Sequence, residues 1–265
     1  MSEESQTAKR LAVEAGRLIR DNLNRSKRVD RKSAVNLVTD TDRAAEALIV
    51  DGLRQAFPGH GIVAEEGHSD RRDEEFCWYI DPLDGTTNFV HTLPHCAVSI
   101  ALLRNSHPQV AVVFDPVKEE LFEASRTAGA TLNGTSIGVS ATSSLADSLL
   151  VTGFPYDRRE HSAFYLSYFE AFMHKAHDVR RFGAASLDLC YVAAGRFDGL
   201  WEWGLSPWDT AAGWLILEEA GGRVSDFDGR PFDPWQPRIA ATNAVIHDEV
   251  CTLLTTLTPQ EYTNG

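Results

Sequence analysis

Apolar runs of strand length alternate with segments of helical periodicity along the second half of the chain, and this alternation constrains the fold more than any other feature. Each expected strand is separated from the next by a turn or by a segment long enough for a helix. The pattern predicts strands at 149–152, 178–181, 199–203, 223–226 and 238–242, and helices at 161–175, 184–194, 208–220 and 244–254. Elements that alternate in this way bury their apolar faces by stacking in layers, so we expect an α/β layered protein.

The first half begins with two amphipathic helices and continues with strands. Apolar side chains recur every three or four residues over 8–23, and a second such segment begins near Thr41 and ends at Pro58-Gly59. Apolar runs at 61–64 and 77–80 predict buried strands that end at acidic residues. The other strands predicted in this half lie at 97–103, 110–114 and 120–124, and we expect them to form an antiparallel sheet.

The length of the chain and the spacing of its residues favour a single domain that spans residues 1–265. A chain of 265 residues is near the upper limit of what one hydrophobic core organises. We expect a division near residues 140–144 into an N-terminal lobe, 1–143, and a C-terminal lobe, 144–265. The cysteines are scattered, form no Cys-x-x-Cys pair and stand in apolar contexts, so we predict that they are reduced and buried; they are Cys77, Cys96, Cys190 and Cys251.

The charge balance bears on the class of partner. The formal net charge is −13, whereas a nucleic-acid-binding surface needs clustered Lys and Arg, so we expect no nucleic-acid partner. No apolar stretch reaches the roughly 18 residues of a membrane span, and the N-terminus lacks the pattern of a signal peptide. We therefore expect no membrane partner and a cytoplasmic location. An acidic protein that handles phosphate needs cations, which directs attention to its carboxylates.

The run from Asp81 to Thr86 brings two carboxylates close together. Pro82 restricts its own backbone and that of the residue before it, so the strand is predicted to end there in a turn. Two adjacent carboxylates in water-poor surroundings need protons or cations, and oxygen ligands favour Mg²⁺. Backbone N–H groups of Gly85 and Thr86 could receive an anion at the same turn. The alternative is an ordinary capped turn in which Asp81 and Asp84 bond the local backbone.

Two long motifs give this run a more specific context, because they resemble the signatures of the inositol monophosphatase family. The first is Asp81-Pro82-Leu83-Asp84-Gly85-Thr86-Thr87-Asn88-Phe89-Val90-His91. The second, at 208–222, begins Trp-Asp-Thr-Ala-Ala-Gly and ends Glu-Ala-Gly-Gly. The similarity extends over segments 37–42, 65–66, 183–189 and 195–204, and so over nearly the whole chain. The fold that the resemblance implies is an αβαβα sandwich of the inositol monophosphatase and fructose-1,6-bisphosphatase type.

The resemblance implies a site that holds two to three Mg²⁺ ions. Glu65, Asp81 and the backbone carbonyl of Leu83 would hold the first ion. Asp81, Asp84 and Asp209 would hold the second, with Asp81 as the bridge between the two. A weaker third ion would depend on Glu65 and water.

The family also implies which residues carry the chemistry. The hydroxyl of Thr86 and the carboxylate of Asp42 would orient and deprotonate a metal-bound water, with Glu65 counted among the catalytic residues. Asp84 and the N–H groups of Gly85 and Thr86 would hold the phosphate, and no covalent phosphoenzyme is required. Asp42 has a structural alternative, because it stands at a predicted helix start and could act as an N-cap.

The substrate contacts follow from the same resemblance. Glu202 would accept hydrogen bonds from sugar hydroxyls, and the alternative is a solvated glutamate at a strand end. Ser206 stands where a His is common in the animal enzymes, and it could instead be an ordinary helix N-cap. The backbone near Ala185 would face the ligand, whereas Asp188 is predicted to be structural. A loop with Arg31-Lys32-Ser33 stands where the family usually shows a Lys.

The function implied by the resemblance is the hydrolysis of myo-inositol monophosphate to inositol and phosphate, with Li⁺ inhibition and a homodimeric assembly. The partner would be a small phosphorylated polyol. The alternative within the same chemistry is a histidinol-phosphate phosphatase or another small sugar or nucleotide phosphatase. The alternative from another class is a regulatory protein that has lost catalysis, and the intact carboxylate set weighs against it.

Overall fold

The computed structural model describes residues 2–25, 28–32, 37–67, 69–70 and 74–258. Within these ranges the helices are α1 (Glu3–Asn22), α2 (Asp40–Ala56), α3 (Thr86–Val90), α4 (Ser162–Met173), α5 (Ala185–Ala193), α6 (Pro207–Glu219) and α7 (His247–Leu257). The strands are β1 (Val29–Arg31), β2 (Leu37–Thr39), β3 (Gly61–Ala64), β4 (Ser69–Asp70), β5 (Phe76–Asp84), β6 (Ala97–Arg104), β7 (His107–Asp115), β8 (Glu120–Ser125), β9 (Ala130–Leu132), β10 (Thr135–Ser136), β11 (Leu149–Thr152), β12 (Asp178–Arg180), β13 (Gly199–Trp203), β14 (Arg223–Ser225) and β15 (Arg238–Thr242).

Among the described residues, two sheets organise the fold, and the short antiparallel pair of β1 and β2 lies outside them. The larger sheet has the order β10-β9-β8-β7-β6-β5-β3-β4, and its pairs are antiparallel except for β3 beside β5. The smaller sheet has the order β12-β11-β13-β15-β14. In it β11 pairs in parallel with β12 and β13, whereas β15 is antiparallel to both of its neighbours.

The helices cover these sheets in separate layers. Helices α1 and α2 pack on one face of the larger sheet, and α5 and α6 lie between the two sheets. Helices α4 and α7 cover the outer face of the smaller sheet. The result confirms the stacked α/β layers that the alternating pattern predicted and the αβαβα sandwich that the family resemblance implied. The layers also explain the apolar spacing of α1, because Leu11, Ala15 and Ile19 form one buried face against the sheet.

Most predicted elements have bounds close to the observed ones, and the main error concerns Pro82. Strand β5 does not end before this proline but continues to Asp84. The register with β6 shifts between Asp81 and Asp84, so Pro82 and Leu83 lie in a bulge. A bulge leaves a residue outside the regular hydrogen-bond ladder, and a proline without an N–H is tolerated there.

Two further expectations concern the cysteines and the membrane. All four cysteines are free and buried, as predicted. Among the helices described above, none has both the length and the apolar character needed to cross a bilayer. In the loop with Arg31-Lys32-Ser33, Ser33 and the side chain of Arg31 lie outside the described residues.

Candidate active site

A cleft of about 470 Å³ opens where the bulge of β5 faces the starts of α5 and α6. Nearly all of the residues singled out from the sequence line this cleft, although they come from distant parts of the chain. They are Glu65, Asp81, Leu83, Asp84, Gly85, Thr86, Ala185, Glu202, Ser206 and Asp209. Asp42 is fully buried and lies directly behind Thr86.

The bulge in β5 presents the first two carboxylates. Asp81 accepts a hydrogen bond through Oδ1 from the N–H of Leu83 at 2.9 Å. Asp84 accepts two hydrogen bonds through Oδ2 from Ser186, one from the N–H at 2.8 Å and one from the hydroxyl at 2.5 Å. The backbone of Ala185 is a further hydrogen-bond donor to Asp84. Each carboxylate is therefore held in place by donors near its own end of the cleft.

Thr86 links the bulge to helix α2. Its hydroxyl lies 3.0 Å from Oδ1 of Asp42 and 3.0 Å from the carbonyl oxygen of Leu83. A hydroxyl has one proton, so Thr86 donates fully to only one of these acceptors at a time. Oδ2 of Asp42 accepts hydrogen bonds from the N–H, at 2.9 Å, and the hydroxyl of Thr39. Asp42 thus caps its own helix through one oxygen and contacts Thr86 through the other.

Helix α6 carries Asp209 in its first turn and holds it as α2 holds Asp42, through a hydrogen bond from the N–H of the N-cap residue. Oδ2 of Asp209 accepts a hydrogen bond from the N–H of Ser206 at 2.7 Å. Ser206 is the N-cap of this helix, and Pro207 begins it without an N–H to satisfy. The helix start therefore fixes Asp209 at the edge of the cleft, where the positive end of the helix dipole favours a carboxylate.

Glu65 follows strand β3 and pairs with a lysine. Nζ of Lys32 lies 3.0 Å from Oε1 of Glu65 and 2.6 Å from Oε1 of Glu66. The N–H of Glu66 donates to Oε2 of Glu46, a buried side chain of α2, at 2.7 Å. The turn after β3 is thus fixed from two sides, and Lys32 contributes a positive charge at the edge of the cleft.

The surroundings of the cleft carboxylates disfavour their charged forms. Burial raises the pKa of Asp81 well above its ordinary value, and the negative charges of Glu65, Asp84 and Asp209 raise it further. Burial raises the pKa of Asp84 to about 6, although the hydrogen bonds from Ser186 lower it. Burial, followed by the charges of Glu65 and Asp84, also raises the pKa of Asp209. These groups need either protons or cations to coexist at neutral pH.

The donor set fits a hard divalent cation. Among the side chains that the structure describes, no three His, Cys, Asp or Glu residues form a ready-made metal cluster. The available donors are nevertheless all oxygen atoms, from Glu65, Asp81, Asp84 and Asp209 and from the Leu83 carbonyl, and such ligands suit Mg²⁺. Bound cations would also remove the repulsion that raises the pKa values of these aspartates.

The far side of the cleft is where a leaving group would fit. Glu202 is 8% exposed, and its carboxylate makes no hydrogen bond to the described residues. Burial raises its pKa to about 8, although the positive charge of Arg181 lowers it. Arg158 and the half-exposed Tyr156 also line this side. Desolvation in the cleft, followed by the negative charges of Glu65 and Asp209, raises the pKa of the Tyr156 phenol.

A model of the inositol monophosphatase family matches residues 1–258. The chain belongs to the inositol monophosphatase family. An inositol-1-monophosphatase of Synechocystis sp. is 49% identical over 232 residues, which cover 87% of this chain and 80% of that protein. A protein of Pseudomonas aeruginosa named Nus factor SuhB is 49% identical over 229 residues, 84% of each chain. The solved inositol monophosphatase from Anabaena (Nostoc) sp. PCC 7120 has a TM-score of 0.88 at 44% identity and covers 97% of both chains.

Membership of this family supports phosphatase activity, and the family generally depends on Mg²⁺. The family motifs identified the residues that line the cleft but did not identify those that contact them from behind. Ser186, Thr39 and Glu46 hold cleft residues or their loops through hydrogen bonds. Thr39 had a detectable signal, because a threonine three residues before Asp42 is a capping-box pattern. No local pattern indicated the role of Ser186, because it contacts Asp84, which lies 102 positions away in the chain.

Proposed function

We propose that the protein is a Mg²⁺-dependent phosphomonoesterase that hydrolyses myo-inositol monophosphate by direct attack of water. The observation that carries this proposal is the position of the Thr86 hydroxyl, between Asp42 and the Leu83 carbonyl and beside a cleft of converging carboxylates. A buried hydroxyl–carboxylate pair of this kind is suited to orienting and deprotonating a nucleophile.

The metal ligands would be those that the family motifs imply. Glu65, Asp81 and the Leu83 carbonyl would hold one Mg²⁺, and Asp81, Asp84 and Asp209 a second. A third, weaker ion would depend on Glu65, which Lys32 contacts in this structure. When bound, Mg²⁺ supplies the positive charge that a phosphate dianion and its leaving oxygen require.

The protein's own groups would perform the remaining tasks. Thr86 would orient the attacking water, and Asp42, through Oδ1, would receive the proton by way of the Thr86 hydroxyl. The buried position of Asp42 favours this role, because burial raises the pKa of its carboxyl and makes it a better base. The N–H groups of Gly85 and Thr86 would hold the phosphate. Gly85 has φ +86°, a left-handed conformation that favours glycine.

The polyol would lie between Glu202, Ser206 and the backbone of Ala185. Glu202 supports this placement because it is buried, lines the cleft and has no hydrogen-bond partner among the described residues. The same site could accept histidinol phosphate or another small sugar or nucleotide ester, since the alternatives differ only in how the leaving group is bound.

We also propose that Li⁺ inhibits the enzyme at the second metal site. The protein would be a cytoplasmic homodimer, and each chain would divide into two lobes between residues 143 and 144.

The deciding experiment compares kcat/KM for a panel of esters in Mg²⁺ and in EDTA. The panel contains inositol 1-phosphate, histidinol phosphate, fructose 1,6-bisphosphate and adenosine 3',5'-bisphosphate. We expect Mg²⁺-dependent phosphate release with inositol 1-phosphate as the best substrate. A clear preference for another ester would replace the proposed substrate, and no Mg²⁺-dependent release from any ester would refute the enzyme assignment.

A second candidate role comes from the name of the Pseudomonas aeruginosa relative, a Nus factor. In this chain the net charge of −13 weighs against direct contact with nucleic acid, so such a role would use a protein partner. Chromosomal replacement by Asp84→Asn separates the two roles. If the Asp84→Asn strain has the same phenotype as the gene deletion, the cellular role depends on catalysis. If the deletion strain is defective while the Asp84→Asn strain grows like wild type, the role is the non-catalytic one.

A further inference from the structure

Asp84 is held in a way that differs from the other aspartates of the cleft. Asp42, Asp81 and Asp209 accept hydrogen bonds from backbone groups within three residues of themselves. Asp84 instead accepts two hydrogen bonds from Ser186, which lies 102 residues away on α5, and a further backbone hydrogen bond from the neighbouring Ala185. The orientation of Asp84 therefore depends on tertiary contact rather than on local turn geometry.

The start of α5 is arranged around this contact. Its N-cap, Ala184, makes no side-chain hydrogen bond, so the helix lacks a cap from its own sequence. The carboxylate of Asp84 takes that place from a strand of the larger sheet, because it accepts the N–H of Ser186 in the first turn of α5. An anion at a helix N-terminus is favoured both by the free N–H groups and by the helix dipole.

The hydroxyl of Ser186 adds a second constraint on the same oxygen. Ser186 is 0% exposed, and within the described chain its hydroxyl bonds only to Oδ2 of Asp84, at 2.5 Å. A serine near a helix start can bond a backbone carbonyl instead, but this one does not. With two donors from Ser186 on Oδ2, the carboxylate cannot rotate freely.

We propose that Ser186 is a positioning residue that fixes the Asp84 carboxylate for cation binding by holding its Oδ2 through two hydrogen bonds. This inference rests on the proposed function, in which Asp84 is a ligand of the second Mg²⁺. Groups that hydrogen-bond a metal ligand typically contribute about 10- to 100-fold to metal affinity. Ser186 touches neither substrate nor the reacting atoms, so its effect acts through Asp84.

The test measures cation binding separately from catalysis. Metal-free wild type, Ser186→Ala and Ser186→Cys are titrated with Mn²⁺ by calorimetry, and phosphate release is measured over a range of Mg²⁺ concentrations. Ser186→Cys keeps a side chain of similar size but replaces a strong donor with a weak one, so it serves if the alanine variant fails to fold. The control is Ser148→Ala, which removes another fully buried serine hydroxyl whose partner is the Ser144 carbonyl.

We expect both Ser186 variants to bind Mn²⁺ about tenfold more weakly at one site and to need about tenfold more Mg²⁺, with kcat at saturating Mg²⁺ within about threefold of wild type. The Ser148→Ala control should bind Mn²⁺ like wild type. Unchanged Mn²⁺ affinity in the Ser186 variants, an equal loss in the control, or a loss confined to kcat would each overturn the inference. Wild type that binds no Mn²⁺ and releases no phosphate would overturn the proposed function as well, and this failure is visible before any variant is made.

Discussion

Thr86→Val removes the hydroxyl that the proposed chemistry needs while almost preserving the shape of the side chain. The hydroxyl links Asp42 to the bulge of β5, because it lies 3.0 Å from Oδ1 of Asp42 and 3.0 Å from the Leu83 carbonyl oxygen. Asp42 keeps both of its hydrogen bonds from Thr39 in the variant, so its carboxylate stays anchored. We therefore expect a modest loss of about 1–2 kcal/mol in unfolding free energy.

The expected loss of activity is much larger than this loss of stability. A group that orients and deprotonates the nucleophile contributes about 10²- to 10⁴-fold to rate, so kcat should fall by that factor at saturating Mg²⁺. Phosphate release from inositol 1-phosphate measures the rate, and thermal unfolding measures the stability. Thr86→Ser, which keeps the hydroxyl, should retain activity within about tenfold of wild type.

The matched control is Thr258→Val. Thr258 is 8% exposed and Thr86 is 9% exposed, and the hydroxyl of Thr258 also bonds a backbone carbonyl, that of Leu254 at 2.8 Å. This control should lose similar stability and no activity. If Thr86→Val instead keeps kcat within about threefold of wild type, the hydroxyl does not orient the nucleophile and the proposed mechanism is wrong.

The other predictions concern pH, the phosphate turn and the cation. Burial raises the pKa of Glu202 to about 8 from its usual 4.5, so between these values the folded state holds a proton that the unfolded chain has released. The unfolding free energy should therefore fall by on the order of 3 kcal/mol from pH 4.5 to 7. Urea titrations should show that Glu202→Gln removes this dependence on pH, and parallel pH profiles of wild type and variant would contradict the prediction. Gly85→Ala should lower the unfolding free energy by about 1–2 kcal/mol and remove most of the activity, because φ is +86° and the new Cβ would lie 3.0 Å from the His95 carbonyl oxygen. A variant that unfolds thermally like wild type would refute this prediction. Mg²⁺ at 100 times its dissociation constant should add about 2.7 kcal/mol to the unfolding free energy, and a melting temperature that EDTA leaves unchanged would count against a metal site.

The sequence predicted the layered fold because its elements have strong periodic patterns. Strands β11 and β13 have the predicted bounds, and α1 has its apolar residues on the predicted face. Pro82 misled the prediction of the end of β5, since a proline usually ends a central strand. The bulge that accommodates it depends on pairing with β6, and the local sequence gives no sign of that pairing.

The residues proposed for the site could be named from two motifs, but the contacts that hold them could not. Asp42 and Asp209 are held by backbone groups three residues away, so the sequence around them already indicates their hydrogen bonds. Ser186 reaches Asp84 and Lys32 reaches Glu65 only after the sheets and helices have packed. Contacts between residues so far apart in the chain follow from the fold and leave no local pattern.

The most direct test of a Mg²⁺-dependent phosphatase centred on Asp84 is phosphate release from inositol 1-phosphate by wild type and by Asp84→Asn, each with and without Mg²⁺. The substitution removes a charge from the proposed second metal site with little change in shape. Wild type should be active only with Mg²⁺, and Asp84→Asn should lose several orders of magnitude in kcat/KM while it unfolds at a temperature close to that of wild type. Near-normal Mg²⁺-dependent activity in a folded Asp84→Asn protein would contradict the account.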